Sequence, residues 1–323
     1  MSFSRIHKNN FLVLGRAGMD LYADPPGTQT EHATRFTSAL GGSSANIAAG
    51  ITKLGGAASL VSAVSDDAIG RFTINELKKY GIECAHVAIV SGEARNSLAL
   101  VETRSENCQS VIYRNGAADF QVTEQQVRGI DLAPFGALVL TGTCLAMQPS
   151  RGAAMLLIHR ASEAGLPIIL DIDYRPYSWT SRKEAAAACH EAAQLCDIIV
   201  GNDEEFALLA GAGGDSLTKA AEYASRADRI VVHKMGALGS VTFAEGKSFE
   251  TGTFKVAALK PTGAGDAFLA SFCFSLASGR SVEDAVRQGS AAAAIVVTKV
   301  GCAPAMPSLA ELEDFMLNYA QGS

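Results

Sequence analysis

The chain alternates short apolar runs with longer segments in which apolar residues recur every three or four positions. Runs of strand length, rich in apolar residues, are typical of parallel strands covered on both faces. They are Phe11–Leu14, Ala58–Val64, Ala137–Leu140, Ile168–Ile172, Ile198–Val200 and Ile230–Val232. Helical patterns lie between them, near Ser44–Leu54, Ala68–Tyr80, Arg151–Ala164, Arg182–Leu195 and Leu217–Ser225. This alternation predicts an α/β fold in which helices cover a mostly parallel sheet.

Two stretches break that rhythm. Thr34–Ala39 and Ser97–Arg114 alternate between polar and apolar residues, as antiparallel strands with one exposed face do. We expect them to form a small sheet outside the main layer, placed as a lid. Two further strands, Gly239–Ala244 and Ser248–Phe254, precede a helical C-terminal region.

Composition narrows the classes of partner. The 323 residues are 48% hydrophobic, and the net charge of -6 provides no basic field for nucleic acid or an anionic membrane. No segment has the roughly 18 uninterrupted apolar residues of a membrane span, and no apolar leader precedes the first strand. The seven cysteines are far apart without a C-x-x-C pair, which favours free thiols over a metal site. We therefore expect a cytoplasmic protein that acts on small molecules.

The segment Thr262-Gly263-Ala264-Gly265-Asp266 carries the clearest chemistry, because an apolar helical run follows it directly. Small residues let backbone N–H groups at a helix start converge on an anion. Asp266 can accept the proton of a substrate hydroxyl while the amides of Gly263, Ala264 and Gly265 hold charge developing on a phosphoryl group. The alternative is a Gly-rich turn with Asp266 as an ordinary helix-start carboxylate.

A second motif lies near the N-terminus, where Gly41-Gly42 and Asn46 stand at the start of a helical run. Paired glycines bring backbone close to a ligand, and the Asn46 amide can read a polyol hydroxyl as donor and as acceptor. Asp20 follows the first strand, at the edge where open α/β sheets bind ligands. The alternative is a Gly-Gly loop with Asn46 as a local cap.

Two further motifs follow later strands. Asn202 and Glu205 share one face of a first helical turn and can hold a hydrated Mg²⁺, although the same spacing also describes a capping box. Lys234, Gly236 and Gly239 form a glycine-spaced turn that can pass beside a nucleotide. A G-x-x-x-x-G-K-[ST] motif is absent from the sequence, which disfavours a P-loop enzyme.

In order and spacing, these four motifs resemble those of the ribokinase-like (PfkB-type) carbohydrate kinases over nearly the whole chain. The resemblance implies a Rossmann-type three-layer α/β sandwich, mostly parallel, with a small β lid. It implies one kinase domain over residues 1–323 with lid segments at about 16–40 and 95–116. It also implies ATP and Mg²⁺ as cofactors, phosphoryl transfer to a sugar hydroxymethyl group, and a lid that can support a homodimer.

The resemblance assigns a role to each motif. Asp266 becomes the base, with Gly263, Ala264 and Gly265 as the anion hole. The implied substrate contacts are Asp20, Gly41, Gly42 and Asn46. The implied nucleotide contacts are Lys234, Gly236, Gly239, Thr262 and Gly265, with Asn202 and Glu205 organising Mg²⁺ through water.

Two arginines bear on the substrate. Arg175 follows a strand at the ligand edge, and Arg114 closes a strand of the predicted lid. Two guanidinium groups beside one sugar favour a sugar that carries a carboxylate, because Arg pairs with that group in bidentate fashion. The resemblance extends to family members that phosphorylate acid sugars. The alternative for either arginine is a surface ion pair.

Lys260 departs from the family pattern, in which many members carry an Asp that helps bind a monovalent cation. An ammonium group would repel such a cation, so Lys260 either supplies the charge itself or marks the absence of the site. A different class of function, a sugar or nucleotide sensor without catalysis, would be favoured by loss of the base. The presence of Asp266 argues against it.

Overall fold

A nine-stranded β-sheet forms the central layer, and a four-stranded sheet stands apart from it. The computed structural model describes residues 5–226 and 228–321. The strands, numbered in chain order, are β1 Asn10–Leu14, β2 Gly18–Asp24, β3 Arg35–Gly41, β4 Ala57–Ser65, β5 Val87–Val90, β6 Leu98–Val101, β7 Ser110–Tyr113, β8 Ala137–Thr141, β9 Ile168–Asp171, β10 Ile198–Asn202, β11 Ile230–Lys234, β12 Ser240–Ala244 and β13 Lys247–Thr251. The helices are α1 Ser43–Lys53, α2 Ala68–Lys79, α3 Glu124–Arg128, α4 Ser150–Glu163, α5 Arg182–Leu195, α6 Asp203–Ala210, α7 Ser216–Tyr223, α8 Ala264–Ala277, α9 Val282–Val297 and α10 Leu309–Gln321.

The large sheet has the strand order β13-β12-β11-β10-β9-β8-β1-β4-β5. The strands from β11 to β5 are all parallel, while β12 and β13 continue the edge antiparallel. The six strands predicted from apolar runs are confirmed as β1, β4, β8, β9, β10 and β11. The carboxyl ends of the parallel strands therefore meet at one edge of the sheet, where α/β folds bind their ligands.

Helices cover both faces of the large sheet. Leu12 and Leu14 of β1 belong to a core cluster shared with α4, α5 and α6. Phe11 and Val13 of the same strand belong to a second cluster, shared with α1, α8 and α9. Because successive side chains of a strand point to opposite faces, this division shows a sheet enclosed between two helical layers. The three-layer α/β fold is confirmed.

The four-stranded sheet has the order β3-β2-β6-β7. Its outer pairs are antiparallel, but the central pair of β2 with β6 is parallel. Strand β2 was not predicted, and Asp20 lies inside this strand rather than in a loop after β1. The apolar pattern of β2 is interrupted by Asp20 and Tyr22, whose buried polar atoms serve the site described below.

The sequence also gave no signal for β5, a short edge strand whose residues are half-buried or exposed. The predicted helices at α1, α2, α4, α5 and α7 agree with the structure to within about two residues. Across residues 5–226 and 228–321, no helix combines the length and the apolar character needed to cross a membrane.

Candidate active site

The candidate site lies where the carboxyl ends of β9, β10 and β11 face the N-terminus of α8. Lys234, the last residue of β11, places its Nζ 3.7 Å from Oδ1 of Asp171, the last residue of β9. The same Nζ lies 3.4 Å from the point where a β-carbon on Gly265 of α8 would stand. The ends of β9 and β11 and the start of α8 therefore lie close together, and the Lys234 side chain lies between Asp171 and Gly265.

The start of α8 is built to present backbone amides. Gly263 caps the helix with a φ of 85°, the left-handed conformation that favours glycine. The first backbone bond into the helix is donated by the Ala267 N–H to the Gly263 carbonyl at 3.0 Å. The N–H groups of Ala264, Gly265 and Asp266 precede that bond, so they can bind an anion with the support of the helix dipole.

Asp266, in the first turn of α8, is the candidate base. Its Oδ2 accepts a hydrogen bond of 2.8 Å from Nδ2 of Asn46 in α1. Burial raises the pKa of Asp266 to about 7, the negative charge of Asp173 adds to the rise, and the Asn46 hydrogen bond opposes it. A carboxylate with a pKa near neutrality is well matched to exchanging a proton with an alcohol during catalysis.

Asp20 and its neighbours form a buried polar corner beside the base. The Tyr22 hydroxyl donates to Oδ2 of Asp20 at 3.1 Å, while Oδ1 of Asp20 and Oδ1 of Asn46 are buried without a partner among the described residues. Burial raises the pKa of Asp20, and the charge of Arg16 opposes the rise. A β-carbon on Gly41 would stand 1.9 Å from Oδ1 of Asp20, so only glycine permits this approach. Each of these two unpaired acceptors can receive a hydrogen bond from a ligand hydroxyl.

Asn202 and Glu205 form a complete capping box. Oδ1 of Asn202 accepts from the Glu205 N–H at 3.0 Å, and Oε2 of Glu205 accepts from the Asn202 N–H at 2.7 Å. The other carboxylate oxygen accepts from the Tyr174 N–H at 3.2 Å, which ties α6 to the end of β9. Burial raises the pKa of Glu205 to about 7, and Lys234 opposes the rise. The capping box that the spacing of Asn202 and Glu205 predicted is thus confirmed. The part of these two residues in binding Mg²⁺ stays a prediction.

The two predicted arginines differ in their surroundings. Nη2 of Arg175 pairs with Asp173 at 2.7 Å, and the Arg175 side chain keeps 42% of its exposure. Arg114 is buried, with Nε 3.0 Å from Oδ2 of Asp119 and Nη2 in contact with the same carboxylate. The alternative of a surface ion pair is therefore wrong for Arg114, which is in a buried one. Its Nη1 lies 3.4 Å from the Ser178 hydroxyl.

The hydroxyl of Tyr177 lies within electrostatic range of these two arginines and of a third, Arg16. Burial raises the pKa of its hydroxyl, and the charges of Arg175, Arg16 and Arg114 all oppose that rise. Three guanidinium groups therefore act on one exposed phenol. No role was predicted for Arg16, which stands four residues before Asp20. Its Nη1 donates at 3.0 Å to the hydroxyl of Ser97, the residue before β6.

Asp173 is another residue that sequence reasoning missed. Its φ of 39° is uncommon for a residue other than glycine, and its carboxylate is buried. It accepts from the Thr143 hydroxyl at 3.3 Å and holds Arg175. The strand before Arg175 was predicted to end at the ligand edge, but no local sequence signal indicates the conformation in which Asp173 pairs with Arg175.

The other predicted nucleotide contacts lie in the turn after β11 and in the residue before Gly263. Gly236–Leu238 forms a short 3-10 turn, closed by a bond from the Met235 N–H to the Gly239 carbonyl at 2.7 Å. Leu238 at the tip of that turn is 80% exposed. The hydroxyl of Thr262 is buried without a hydrogen-bond partner among the described residues.

Lys260 is completely buried, so its ammonium group does not reach the surface. Its ammonium group donates to the carbonyl of Thr262, immediately before the anion-binding turn. Burial lowers the pKa of Lys260, and the charges of Cys302 and Asp266 oppose the change. A positive charge is thus fixed against the backbone that carries Gly263.

A carboxylate of near-neutral pKa at a helix start whose backbone amides can receive an anion suits an enzyme that transfers a phosphoryl group to an alcohol. The chain belongs to the pfkB family of carbohydrate kinases, whose model matches residues 8–309. It is 38% identical to the 5-dehydro-2-deoxygluconokinase of Photobacterium profundum over 310 residues, 94% of each chain.

Two solved structures show the same fold. A fructokinase variant from Vibrio cholerae, bound to fructose, ADP and potassium ion, superposes with a TM-score of 0.82 at 24% identity, covering 95% of this chain and 97% of the other. A ribokinase II from E. coli, in complex with ATP and Mg²⁺, gives a TM-score of 0.84 at 20% identity, covering 96% and 99%. The ribokinase-like architecture implied by the sequence motifs is confirmed.

Proposed function

We propose that this kinase transfers the γ-phosphoryl group of ATP to the terminal hydroxymethyl of 5-dehydro-2-deoxy-D-gluconate, giving the 6-phosphate within inositol catabolism. Membership of the carbohydrate kinase family and the name of the Photobacterium profundum relative support it. The observation that carries the proposal is Asp266, held by Asn46 at 2.8 Å in the first turn of α8.

Asp266 acts as the base in this scheme. Its carboxylate accepts the hydroxymethyl proton as the oxygen attacks phosphorus, and the amides of Gly263, Ala264 and Gly265 stabilise charge on the transferred group. The α8 dipole adds to that stabilisation. The pKa of Asp266, about 7, lets the carboxylate both take the proton and return it to solvent after product release.

The sugar is held by two kinds of contact. The unpaired oxygens of Asp20 and Asn46 accept hydrogen bonds from its hydroxyls, while Gly41 and Gly42 keep the backbone close. Arg175 pairs with its carboxylate, and Arg114 and Arg16 contribute positive charge. Since 2-keto-3-deoxygluconate carries the same carboxylate, a kinase for that sugar is the alternative. Fructose lacks the carboxylate and should bind less well.

The site suits ATP with Mg²⁺. Lys234 and the α8 amides lie within reach of one another, and Asp171 Oδ1 is buried without a hydrogen-bond partner among the described residues. No cluster of three or more His, Cys, Asp or Glu side chains in residues 5–226 and 228–321 could hold a metal alone. This fits Mg²⁺, which binds through water, phosphate and one or two carboxylates, and which neutralises phosphate charge. Asn202 and Glu205 would hold it through water.

The second sheet is proposed as a lid over the sugar, with segments at about 16–40 and 95–116 inserted in a single domain over residues 1–323. It supplies Asp20 directly and contacts Arg16 through Ser97. Its strand β7 exposes Val111 (45%) and Tyr113 (58%), so a homodimer through this face would cover them. Light scattering of a Tyr113→Lys variant tests that dimer.

The seven free cysteines support a cytoplasmic location.

A coupled ADP-release assay with ATP and Mg²⁺ tests the function. We expect 5-dehydro-2-deoxygluconate to give the highest kcat/KM, 2-keto-3-deoxygluconate a lower value and fructose the lowest, with the 6-phosphate identified by ³¹P NMR. A preference for fructose would contradict the acid-sugar proposal. Binding of sugar and ATP without turnover would identify a sensor instead.

A further inference from the structure

Helices α1 and α8 meet at two pairs of residues that are one helical turn apart. Asn46 of α1 donates to Asp266 of α8 at 2.8 Å. Four residues further along each helix, a β-carbon on Gly50 would stand 2.5 Å from the β-carbon of Ala270. Because both pairs advance by four residues, the two helices run in the same direction with a fixed register.

The second pair controls the distance between the helices. Carbon atoms in contact lie about 3.5–4.0 Å apart, so a side chain on Gly50 would force a displacement on the order of 1 Å. Sδ of Met306 stands 3.3 Å from the same point and narrows the space that remains. Glycine is a poor helix former, so its position in the middle of buried α1 calls for a packing reason.

We infer that Gly50 and Asn46 act together as positioning residues for the carboxylate of Asp266. Gly50 sets the separation of α1 from α8, and at that separation the Asn46 amide holds Oδ2 and leaves the other oxygen for the substrate hydroxyl. The role of Asp266 as base rests on the proposed function. The helix contact and the hydrogen bond do not.

The charged and titratable groups that act on Asp266 come from several elements. They are Asp171, Asp173 and Arg175 from the end of β9, Lys234 from β11, Lys260 before α8 and Cys302 from the C-terminal loop. Asn46 contributes a neutral donor, which stabilises the ionised carboxylate. Without that donor the pKa of Asp266 should rise, so the carboxyl stays protonated to higher pH. The acid limb of the kcat–pH profile, where kcat falls as the base becomes protonated, should therefore move to higher pH.

A swap of one methyl group between the helices tests the inference. Gly50→Ala should lower kcat on the order of 10-fold and move the acid limb of kcat upward, with the KM for ATP changed less than about twofold. The double variant Gly50→Ala/Ala270→Gly should restore both values, although glycine in α8 lowers stability. A loss caused by instability alone would grow in the double variant. Gly289→Ala, which crowds Phe268 of α8 from α9, is the control and should leave the acid limb in place.

A second measurement needs no catalysis. In protein labelled with ¹³C at aspartate Cγ, the Asp266 signal, identified by its loss in Asp266→Asn, should titrate at higher pH in Asn46→Ala than in the wild type. Asn96→Ala is the matched control, because Asn96 is also buried but bonds to Ser65 and Thr73. An unchanged titration in Asn46→Ala, or a double variant no better than Gly50→Ala, would overturn the inference. A wild type that phosphorylates no sugar, with the titration shifted as expected, would overturn the proposed function alone.

Discussion

Replacing Asp266 by Asn should separate activity from stability. The amide keeps the shape of the side chain and can still accept from Asn46, so the geometry of α8 is retained. Without a base, turnover should fall by roughly 10²–10⁴ while the KM for ATP stays nearly unchanged. The coupled ADP-release assay at saturating sugar measures this directly.

The same substitution should stabilise the fold in alkaline solution. Burial raises the pKa of Asp266 from its ordinary 3.8 to about 7. This shift means that ionising the carboxyl lowers the free energy of unfolding by at most about 4 kcal/mol. Because the side chain is only half-buried, we expect about 1–2 kcal/mol. In the unfolded chain the Asp266 carboxyl ionises near pH 4, whereas in the folded protein it ionises near pH 7. The wild type therefore loses this 1–2 kcal/mol of folding free energy as the pH rises from about 4 to about 7.

Thermal melting at several pH values checks the sign. The Tm of Asp266→Asn should exceed that of the wild type by a few degrees at pH 8, and the difference should shrink toward pH 4. A difference that is independent of pH would show that the ionisation of Asp266 is not opposed by burial. Wild-type turnover in the variant would remove Asp266 from the mechanism and favour the sensor.

Three further substitutions test the other parts of the site. Arg175→Ala should weaken the binding of acid sugars by about 2 kcal/mol and that of fructose much less, as measured by kcat/KM for each; equal losses would refute a carboxylate contact. Asp20→Asn should raise the KM for the sugar about 10- to 100-fold and leave the KM for ATP unchanged; an unchanged sugar KM would place the hydroxyls elsewhere. Lys260→Met should lower turnover, and wild-type activity should depend little on K⁺ in a choline buffer; strong K⁺ activation would contradict the view that the ammonium group replaces the ion.

The main sheet was predictable because its strands are buried on both faces. Phe11–Leu14 and Ile198–Val200 are continuous apolar runs, because the residues of each run pack into a core cluster on one face of the sheet or the other. Strand β2 was not predictable in this way, because Asp20 and Tyr22 direct polar atoms into the candidate sugar site. When a strand supplies buried polar side chains, as β2 does, the apolar pattern that identifies strands in a sequence is interrupted.

The candidate site shows a different limit. The spacing of Asn202 and Glu205 fits both a capping box and a metal contact, and the structure shows the box formed in full. The burial of Arg114 against Asp119 depends on contacts that no local pattern reveals. The hydrogen bond between Asn46 and Asp266 joins residues 220 positions apart, so only the packing of α1 on α8 brings them together.

The charges of the site explain why nucleotide should enter together with its divalent cation. Asp171, Asp173, Glu205 and Asp266 face Lys234 and Arg175, so carboxylates outnumber these two cations when all are ionised. Burial and mutual repulsion raise the pKa values of Glu205 and Asp266 to about 7, which relieves part of that excess near neutrality. A bare triphosphate would add further negative charge to a buried space, at a high electrostatic cost. Phosphates that a divalent cation has neutralised avoid that cost.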